Sequence, residues 1–329
     1  MAKFLIIRFS SIGDIVLTTP IVRAIKTRYP DAEVHYVTKK GFYDIIRYSP
    51  YIDKIHLLDG TLSALVTSLK QEKFDYIIDL HHNLRSLIIK LRLFGVKAYS
   101  FPKLNFAKWL LVRLKWNVMP DIHIVDRYFK TLAKLDLKND ASGLDFFLPE
   151  EDVFPTEKLP NFFNEPYIAL VIGAKHYTKR IPTERVIELS KKLIFPIVIL
   201  GGPEESDQGN FIAKKSGLHV FNACGKLSLL ESAAVIQKAK LVISSDTGLM
   251  HIASAYKRDI FSVWGNTTPN FGMYPYMPGS RSKIFEVIPL SCRPCSKIGF
   301  DSCPKKHFKC MQDIPYHQII IDSKEIMKV

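Results

Sequence analysis

The sequence has no long apolar run. None of the apolar segments in its 329 residues approaches the ~20 residues that a helix needs to cross a bilayer. The N-terminal stretch Met1–Arg8 has only a short apolar run, which a charge ends, so it predicts a first β-strand and not a signal peptide. We therefore expect a cytoplasmic protein.

Carboxylates are missing from a large part of the first half. The chain has a formal net charge of +14. Between Arg85 and Lys134 it has 11 Lys and Arg against two Asp, and from Arg85 to Pro120 it has no Asp or Glu at all. Such a field attracts polyanions. No helix-turn-helix, RNP or zinc-finger pattern accompanies it, which disfavours a nucleic-acid partner. Residues 104–116 and 122–135 are basic and amphipathic, which suits either an anionic membrane surface or an ordinary core-packed helix.

Cysteine is scarce and unevenly placed. Cys224 lies alone at the end of an apolar strand, where we expect a buried, inert thiol. Cys292, Cys295, Cys303 and Cys310 lie close together, and in a cytoplasmic chain they indicate structural zinc or reduced, packed thiols rather than disulfides. Their spacing is not a standard zinc-knuckle pattern, which favours the packed thiols.

Short apolar strands alternate with amphipathic helices in two series. This alternation predicts an α/β protein with two doubly wound, parallel-sheet domains, residues 1–150 and 151–329, facing across a cleft. The proline-containing segment 140–166 is the expected linker. The predicted strands are 3–9, 32–38, 54–58, 76–80, 167–172, 196–200, 219–221, 241–244 and 260–263. The predicted helices are 13–28, 41–48, 61–71, 84–94, 104–116, 122–135, 183–193, 207–215, 229–238, 248–255 and 316–328.

One polar stretch follows a strongly apolar strand. Leu241–Ile243 leads into Ser245-Asp246-Thr247-Gly248-Leu249-Met250-His251, which opens the next helix. The free N–H groups and the positive dipole end of a helix favour a phosphate, although Asp246 could equally serve as a simple helix cap.

Two more polar loops follow strands of the second series. Lys179-Arg180-Ile181-Pro182 lies in the loop after Ile172, and Gly201-Gly202-Pro203-Glu204-Glu205 follows Leu200. Because the carboxyl ends of parallel strands meet at one edge of a sheet, we expect these loops and Asp246 to surround one diphosphate pocket.

These motifs, together with Arg8-Phe9-Ser10-Ser11-Ile12-Gly13-Asp14, resemble glycosyltransferase family 9, the lipopolysaccharide heptosyltransferases. The resemblance implies a GT-B fold and inverting transfer of heptose from ADP-heptose, with no required cofactor. It implies that Asp14 is the general base and that Lys179, Thr247 and Gly248 bind the diphosphate. Glu205 and Asp246 would contact the donor nucleoside and sugar. His251 lies in the same donor-binding motif.

The acceptor implied by the resemblance is the anionic, lipid A-linked inner core of lipopolysaccharide. Its predicted binding residues are Ser10, Ser11, Gly13, His82 and Arg85, in the N-terminal domain. The polar residues expected nearest to the acceptor, just beyond the predicted strand 76–80, are His81, His82, Asn83 and Arg85. A metal at the adjacent histidines is disfavoured. We expect a monomer, peripherally associated with the inner membrane through its basic surface.

Alternatives remain at this stage. Family members often have Trp where this chain has Ile181, so the donor could be another nucleotide sugar. A non-catalytic protein that binds the lipopolysaccharide core or a nucleotide is a further possibility. Asp14 could also be no more than a cap for the first helix.

Overall fold

The computed structural model describes residues 1–151, 153–160 and 165–328. The chain forms two compact units, the first comprising Met1–Leu104 with Ile122–Pro149 and the second comprising Asn105–Asp121 with Glu150–Val329. Part of the predicted linker, Asp152 and residues 161–164, lies outside the described residues. None of the helices in the described ranges is both long enough and apolar enough to cross a membrane.

The first unit contains a five-stranded parallel sheet of strand order β3-β2-β1-β4-β5. Its strands are β1 (Lys3–Ile7), β2 (Glu33–Lys39), β3 (Lys54–Leu58), β4 (Tyr76–Asp79) and β5 (Lys97–Ser100). In the central pair, Ile7 at the end of β1 is in register with Asp79 at the end of β4. Apolar side chains of β1 and β4 pack on the helices through residues such as Leu5, Ile77 and Ile89.

The helices of the first half differ from prediction at three points. The segment predicted as a helix over 41–48 is a short 3-10 helix, Lys40–Ile45, the helix predicted over 122–135 ends at Thr131, and the helix predicted over 13–28 is divided in two. The α-helices are α1 (Ile12–Val16), α2 (Thr19–Arg28), α3 (Leu62–Gln71), α4 (Leu84–Arg92), α5 (Asn105–Leu114) and α6 (Ile124–Thr131). The single helix predicted over 13–28 is broken at Leu17–Thr18. The hydroxyls of Thr18 and Thr19 donate to the carbonyls of Ile15 and Val16, and proline at the start of α2 has no N–H to continue the ladder.

The second unit contains a six-stranded parallel sheet of strand order β11-β10-β9-β6-β7-β8. Its strands are β6 (Ile168–Val171), β7 (Ile197–Leu200), β8 (Val220–Asn222), β9 (Leu241–Ser245), β10 (Asp259–Trp264) and β11 (Lys283–Glu286). Its helices are α7 (Thr183–Lys192), α8 (Ser206–Ser216), α9 (Leu229–Lys238), α10 (Gly248–Ala255), α11 (Lys309–Gln312) and α12 (Tyr316–Lys328). Cys224 is fully buried, as predicted.

The segment Asn105–Asp121 groups with the second unit, although the sequence assigns it to the N-terminal half. The ammonium group of Lys115 explains part of this, because it donates to the carbonyl oxygens of Cys292 at 3.2 Å and Pro294 at 2.7 Å. The basic stretch from Arg85 to Lys134 is therefore divided between the two units and is not a single surface of the first.

Candidate active site

Asp14 lies in the first turn of α1, just beyond the end of β1. Its Oδ2 accepts hydrogen bonds from the hydroxyl of Ser11 at 2.8 Å and from the backbone N–H of Ser11 at 3.2 Å. The carboxylate thus stabilises the start of the helix, as the simple capping interpretation requires. Capping occupies only Oδ2, so the role of Asp14 depends on what contacts Oδ1.

Arg8 contacts the other carboxylate oxygen of Asp14. Its Nη2 lies 2.6 Å from Oδ1, while its Nε donates to the carbonyl of Ser10 and its Nη1 to the carbonyl of Leu80. Burial opposes ionisation of Asp14, but the positive charge of Arg8 and the hydrogen bonds from Ser11 outweigh it and lower the pKa of Asp14 to about 2. Asp14 is therefore an ionised, firmly held carboxylate at neutral pH.

Two further basic residues interact with this ion pair: His81, which the sequence places near the acceptor, and Lys103, which it did not single out. Burial, followed by the positive charges of Arg8 and Lys103, lowers the pKa of His81 to about 4, so its imidazole is neutral at pH 7. Burial and the charge of Arg8 also lower the pKa of Lys103. The Nδ1 atom of His81 is buried and has no hydrogen-bond partner among the described residues. Such an atom can bind a substrate group.

The predicted acceptor residues His82 and Arg85 are placed differently. The backbone N–H of His82 donates to Asp79 at 2.6 Å, and its Nδ1 lies 2.7 Å from the carbonyl of Phe101. Asp79 is fully buried and forms an ion pair with Lys90, which fixes this loop at the end of β4. His82 and Arg85 are exposed, and it is the adjacent His81 that interacts electrostatically with Asp14.

A second group of side chains surrounds a carboxylate in the second unit, after β9. We call Asp14 with Arg8 and Ser11 the first carboxylate cluster and Asp246 with Lys179 and Thr267 the second. Lys179 Nζ lies 2.6 Å from Asp246 Oδ2, and the hydroxyl of Thr267 donates to the same oxygen at 3.2 Å. Thr247 precedes α10, and its hydroxyl lies 3.0 Å from that of Ser244. Gly248 is the first residue of α10. The structure thus brings Lys179 to the N-terminus of α10, as the sequence predicts.

Glu205 holds its own loop together. Its Oε2 accepts from the backbone N–H of Gly202 at 2.9 Å, and its Oε1 lies 3.0 Å from Nη2 of Arg180. A Cβ on Gly173 would come within 3.0 Å of Glu205 Oε2, so glycine is needed for this close approach. Glu205 is 5% exposed and His251 is 2% exposed.

Further polar groups of the second unit were missed by the sequence analysis. The amide of Asn266 and the hydroxyl of Ser245 are both 1% exposed, and neither has a hydrogen-bond partner among the described residues. Ser245 is the last residue of β9, directly before Asp246, and Asn266 follows the neighbouring strand β10 by two residues. Buried polar groups are normally paired, so these groups are open to a hydrogen bond from a ligand or from an ordered water.

The clustered cysteines are free, and the described residues do not support the zinc alternative. Within those ranges His35, His56 and Glu72 are the one group of at least three His, Cys, Asp or Glu whose ligand atoms all lie within 4.8 Å of one another. Burial raises the pKa of Cys310 to about 12 and also raises that of Cys295, which keeps both as protonated thiols.

The histidine pair is occupied by hydrogen bonds and ion pairs. Nδ1 of His35 lies 2.9 Å from Nε2 of His56, and Nε2 of His35 lies 2.7 Å from Glu33. Glu72 forms an ion pair with Lys54 at 2.5 Å. These contacts account for the cluster as part of the packing of the first unit.

Comparison with known proteins identifies the family. The family model described as glycosyltransferase family 9 (heptosyltransferase) matches residues 62–304, a range that contains the second carboxylate cluster but not Asp14. Lipopolysaccharide heptosyltransferase 1 of Pseudomonas aeruginosa is 24% identical, with 96% of this chain and 92% of the relative covered.

Two solved structures share the fold. The family 9 glycosyl transferase of Veillonella parvula superimposes with a TM-score of 0.79 at 20% identity, covering 99% of this chain and 97% of that one. The Escherichia coli ADP-heptose lps heptosyltransferase II gives a TM-score of 0.74 at 19% identity, with 99% and 98% covered. The two parallel-sheet units are thus the Rossmann-like domains of the GT-B fold. From the family match and the fold together, the chain belongs to glycosyltransferase family 9 and is a glycosyltransferase.

Proposed function

We propose that this enzyme transfers heptose from ADP-heptose to the inner core of lipopolysaccharide, with inversion at the anomeric carbon. The curated relative acts as a lipopolysaccharide heptosyltransferase, and one structural neighbour is an ADP-heptose enzyme. The observation in this chain that carries the proposal is the cluster of Lys179, Asp246 and Thr267 beside the N-terminus of α10.

The donor half of the proposal concerns the leaving diphosphate. Breaking the bond between the anomeric carbon and the diphosphate oxygen leaves negative charge on ADP. The ammonium of Lys179 and the N–H groups at the start of α10, next to Thr247 and Gly248, are of the right sign to stabilise that charge. Asp246 keeps Lys179 in place and leaves its other oxygen for a donor hydroxyl. Glu205 and His251, both nearly buried, remain predicted donor residues.

The acceptor half assigns the base to Asp14. The attacking hydroxyl would donate to the carboxylate of Asp14, transfer its proton to it and form the new bond to the anomeric carbon. Attack from the face opposite the diphosphate inverts that carbon. Arg8 keeps Asp14 ionised but also makes it a weak proton acceptor, so Asp14 acts as the bond to the anomeric carbon forms and the hydroxyl becomes acidic.

Acceptor recognition in this proposal depends on positive charge. A core oligosaccharide with carboxylates or phosphates would meet Lys103 and Arg85, while His81 offers its unpartnered Nδ1. Ser10, Gly13 and His82 stay predicted acceptor residues. Peripheral attachment to the inner membrane and a monomeric state are likewise proposals, supported by the relatives' lipid-linked product and by the basic first half.

A different nucleotide sugar is the second candidate donor. Ile181, where family members often have Trp, is 1% exposed and lies in the loop that carries Lys179. A smaller side chain there changes the packing behind the diphosphate site and with it the shape available to the sugar. A binding protein without catalysis is the third candidate, and it would retain nucleotide affinity without turnover.

The test is ADP release by purified protein from ADP-heptose, with and without a deacylated core acceptor. Release that requires the acceptor, with a product of inverted anomeric configuration by NMR, is the expected result. Turnover of another nucleotide sugar in place of ADP-heptose would overturn the donor. Binding of ADP-heptose without release under any acceptor condition would favour the binding protein.

A further inference from the structure

Helix α4 is apolar on two faces. Its inner face buries Ser86 and Ile89, followed by Leu93 just beyond the helix, in the core of the first unit. Its outer face carries Leu84, Leu87 and Leu91, which are 72%, 44% and 66% exposed, followed by Phe94 at 94%. Residues three and four apart lie on the same side of a helix, so the three leucines form one outward stripe, and the exposed Phe94 follows just beyond the end of α4.

This outward stripe is not needed for folding, because Ile89 and Leu93 already fill the interior position of α4. Single exposed apolar residues are ordinary on protein surfaces. Several in a row at helical spacing are not, and contiguous apolar patches mark interaction sites. The stripe of Leu84, Leu87, Leu91 and Phe94 is therefore a candidate interaction surface.

The charges on α4 and in the residues just after it are of one sign. Arg85, Arg92 and Lys97 are exposed, and the sequence has no carboxylate from Arg85 to Pro120. Lys90 of the same helix is different, because its ammonium lies 2.8 Å from the buried carboxylate of Asp79. The charges that α4 presents to solvent are thus cationic.

We infer that the α4 stripe is a docking surface for an anionic lipid bilayer. Leucine and phenylalanine side chains would enter the boundary between headgroups and acyl chains, while the arginines and Lys97 would meet anionic headgroups. A protein partner would have to bring its own carboxylates to meet these cations. An anionic bilayer supplies the apolar layer and the negative charge together.

The position of the stripe in the first unit agrees with the proposed acceptor. The helix begins directly after the loop of His81 and His82, at the end of β4, and that end is in register with the end of β1 that leads to Asp14. A lipid-anchored acceptor held at this edge would stay close to its membrane. In this respect the inference rests on the proposed function.

The experiment is cosedimentation of the full chain with vesicles of phosphatidylcholine alone and of phosphatidylcholine mixed with phosphatidylglycerol. Wild type should bind the anionic vesicles, and salt should weaken this binding. Leu87→Ser with Leu91→Ser should reduce partitioning by about tenfold or more, since each change removes apolar area from the bilayer. Arg92→Glu should reduce binding to the anionic vesicles and leave binding to phosphatidylcholine vesicles as in wild type.

The matched control replaces exposed apolar residues elsewhere. Ile194 and Leu218 in the second unit are 77% and 98% exposed, and Ile194→Ser with Leu218→Ser should bind vesicles as wild type does. Circular dichroism checks that each variant is folded. ADP release with a deacylated, water-soluble acceptor should be the same in the stripe variant as in wild type, which separates docking from chemistry.

Three results would overturn the inference. Wild type could fail to bind anionic vesicles, or the stripe variant could bind them as well as wild type. Light scattering could instead show a dimer that the Leu91 substitution dissolves, which would assign the stripe to self-association. Vesicle binding through the stripe by a protein that does not use ADP-heptose would leave this inference standing and remove the proposed function.

Discussion

The two carboxylate clusters are built alike and held differently. Asp14 follows β1 and Asp246 follows β9, each beside the start of a helix and each with a cationic nitrogen at 2.6 Å. Arg8, the partner of Asp14, is anchored by two backbone carbonyls as well. Among the described residues Lys179 bonds only to Asp246, through its carboxylate and its carbonyl. The first pair is rigid, whereas the second can be shared with an incoming ligand.

The difference follows from the chemistry of the two cations. A guanidinium has five donors in a fixed plane, so Arg8 can bind a carboxylate and two carbonyls at once. An ammonium on a flexible four-carbon stem can move between a carboxylate and a phosphate. A carboxylate that must be ionised before the acceptor arrives suits the first arrangement, and a cation that must turn to an incoming phosphate suits the second. The predictions below test this division.

The largest expected effect is on Asp14. Asp14→Asn removes the proposed base, so kcat should fall by ~10²–10⁴ while ADP affinity stays as in wild type. It also leaves buried Arg8 without its carboxylate, so unfolding should occur at lower denaturant concentration. Kinetics and ADP titration on the folded variant measure the effect. Asp44→Asn, which removes an exposed carboxylate paired with Arg47, is the control and should change neither. Unaltered kcat in Asp14→Asn would leave Asp14 as a helix cap only.

Lys179→Met should act on binding. Removing a charged hydrogen-bond donor from the diphosphate should raise the dissociation constant of ADP by roughly 10–100-fold. Isothermal titration measures it, and Lys192→Met is the control, because Lys192 is paired with Glu188 on an exposed helix face. If ADP bound equally well to the Lys179 variant, the ion pair with Asp246 would be structural, like that of Arg8.

Much of the fold could be predicted from the sequence, because buried strands have a strong local signal. All five residues of β9 are buried, and its apolar run predicts it directly. The edge strands β5 and β11 were missed, since Lys97–Ser100 and Lys283–Glu286 are short, partly exposed and without a clear apolar alternation. The break after α1 was missed because it depends on threonine hydroxyls that compete for backbone carbonyls.

The site was only partly predictable. The positions of Asp14 and Asp246 follow from the rule that polar residues at strand ends meet at one edge of a parallel sheet. Their partners do not all follow from it. Thr267 and Lys103 come from distant segments without any motif, and only the fold brings them to the carboxylates. His81 and His82 are neighbours in sequence, and backbone geometry alone decides which of them interacts with Asp14.

Replacing Arg8 tests the rigid pair through pH. In wild type the lowered pKa of Asp14, about 2, keeps it ionised, so its loss as a base begins only as pH falls toward that value. In Arg8→Gln the opposing effect of burial is no longer outweighed, and the pKa of Asp14 should rise. Activity should then fall at a higher pH than in wild type. Below the new pKa of Asp14 the rate should drop roughly tenfold for each further decrease of one pH unit.

The pH dependence of kcat measures this change. Arg23→Gln is the matched control, because Arg23 is also a buried arginine paired with carboxylates, Asp140 and Asp145, in the same unit. It should lower stability and leave the pH dependence as in wild type. An identical acid limb in wild type and Arg8→Gln would show that Arg8 does not set the ionisation of Asp14.

The smallest effects should come from one hydroxyl at each cluster. Ser11→Ala removes a donor at 2.8 Å from Asp14, and Thr267→Ala removes one at 3.2 Å from Asp246. Each substitution should remove about 0.5–1.5 kcal/mol of stabilisation, which is a few-fold decrease in rate or in affinity. Ser11→Ala should change kcat and Thr267→Ala the dissociation constant of ADP. Steady-state kinetics and ADP titration of both variants measure this, and the opposite assignment would mean that Asp14 serves donor binding and Asp246 the chemical step.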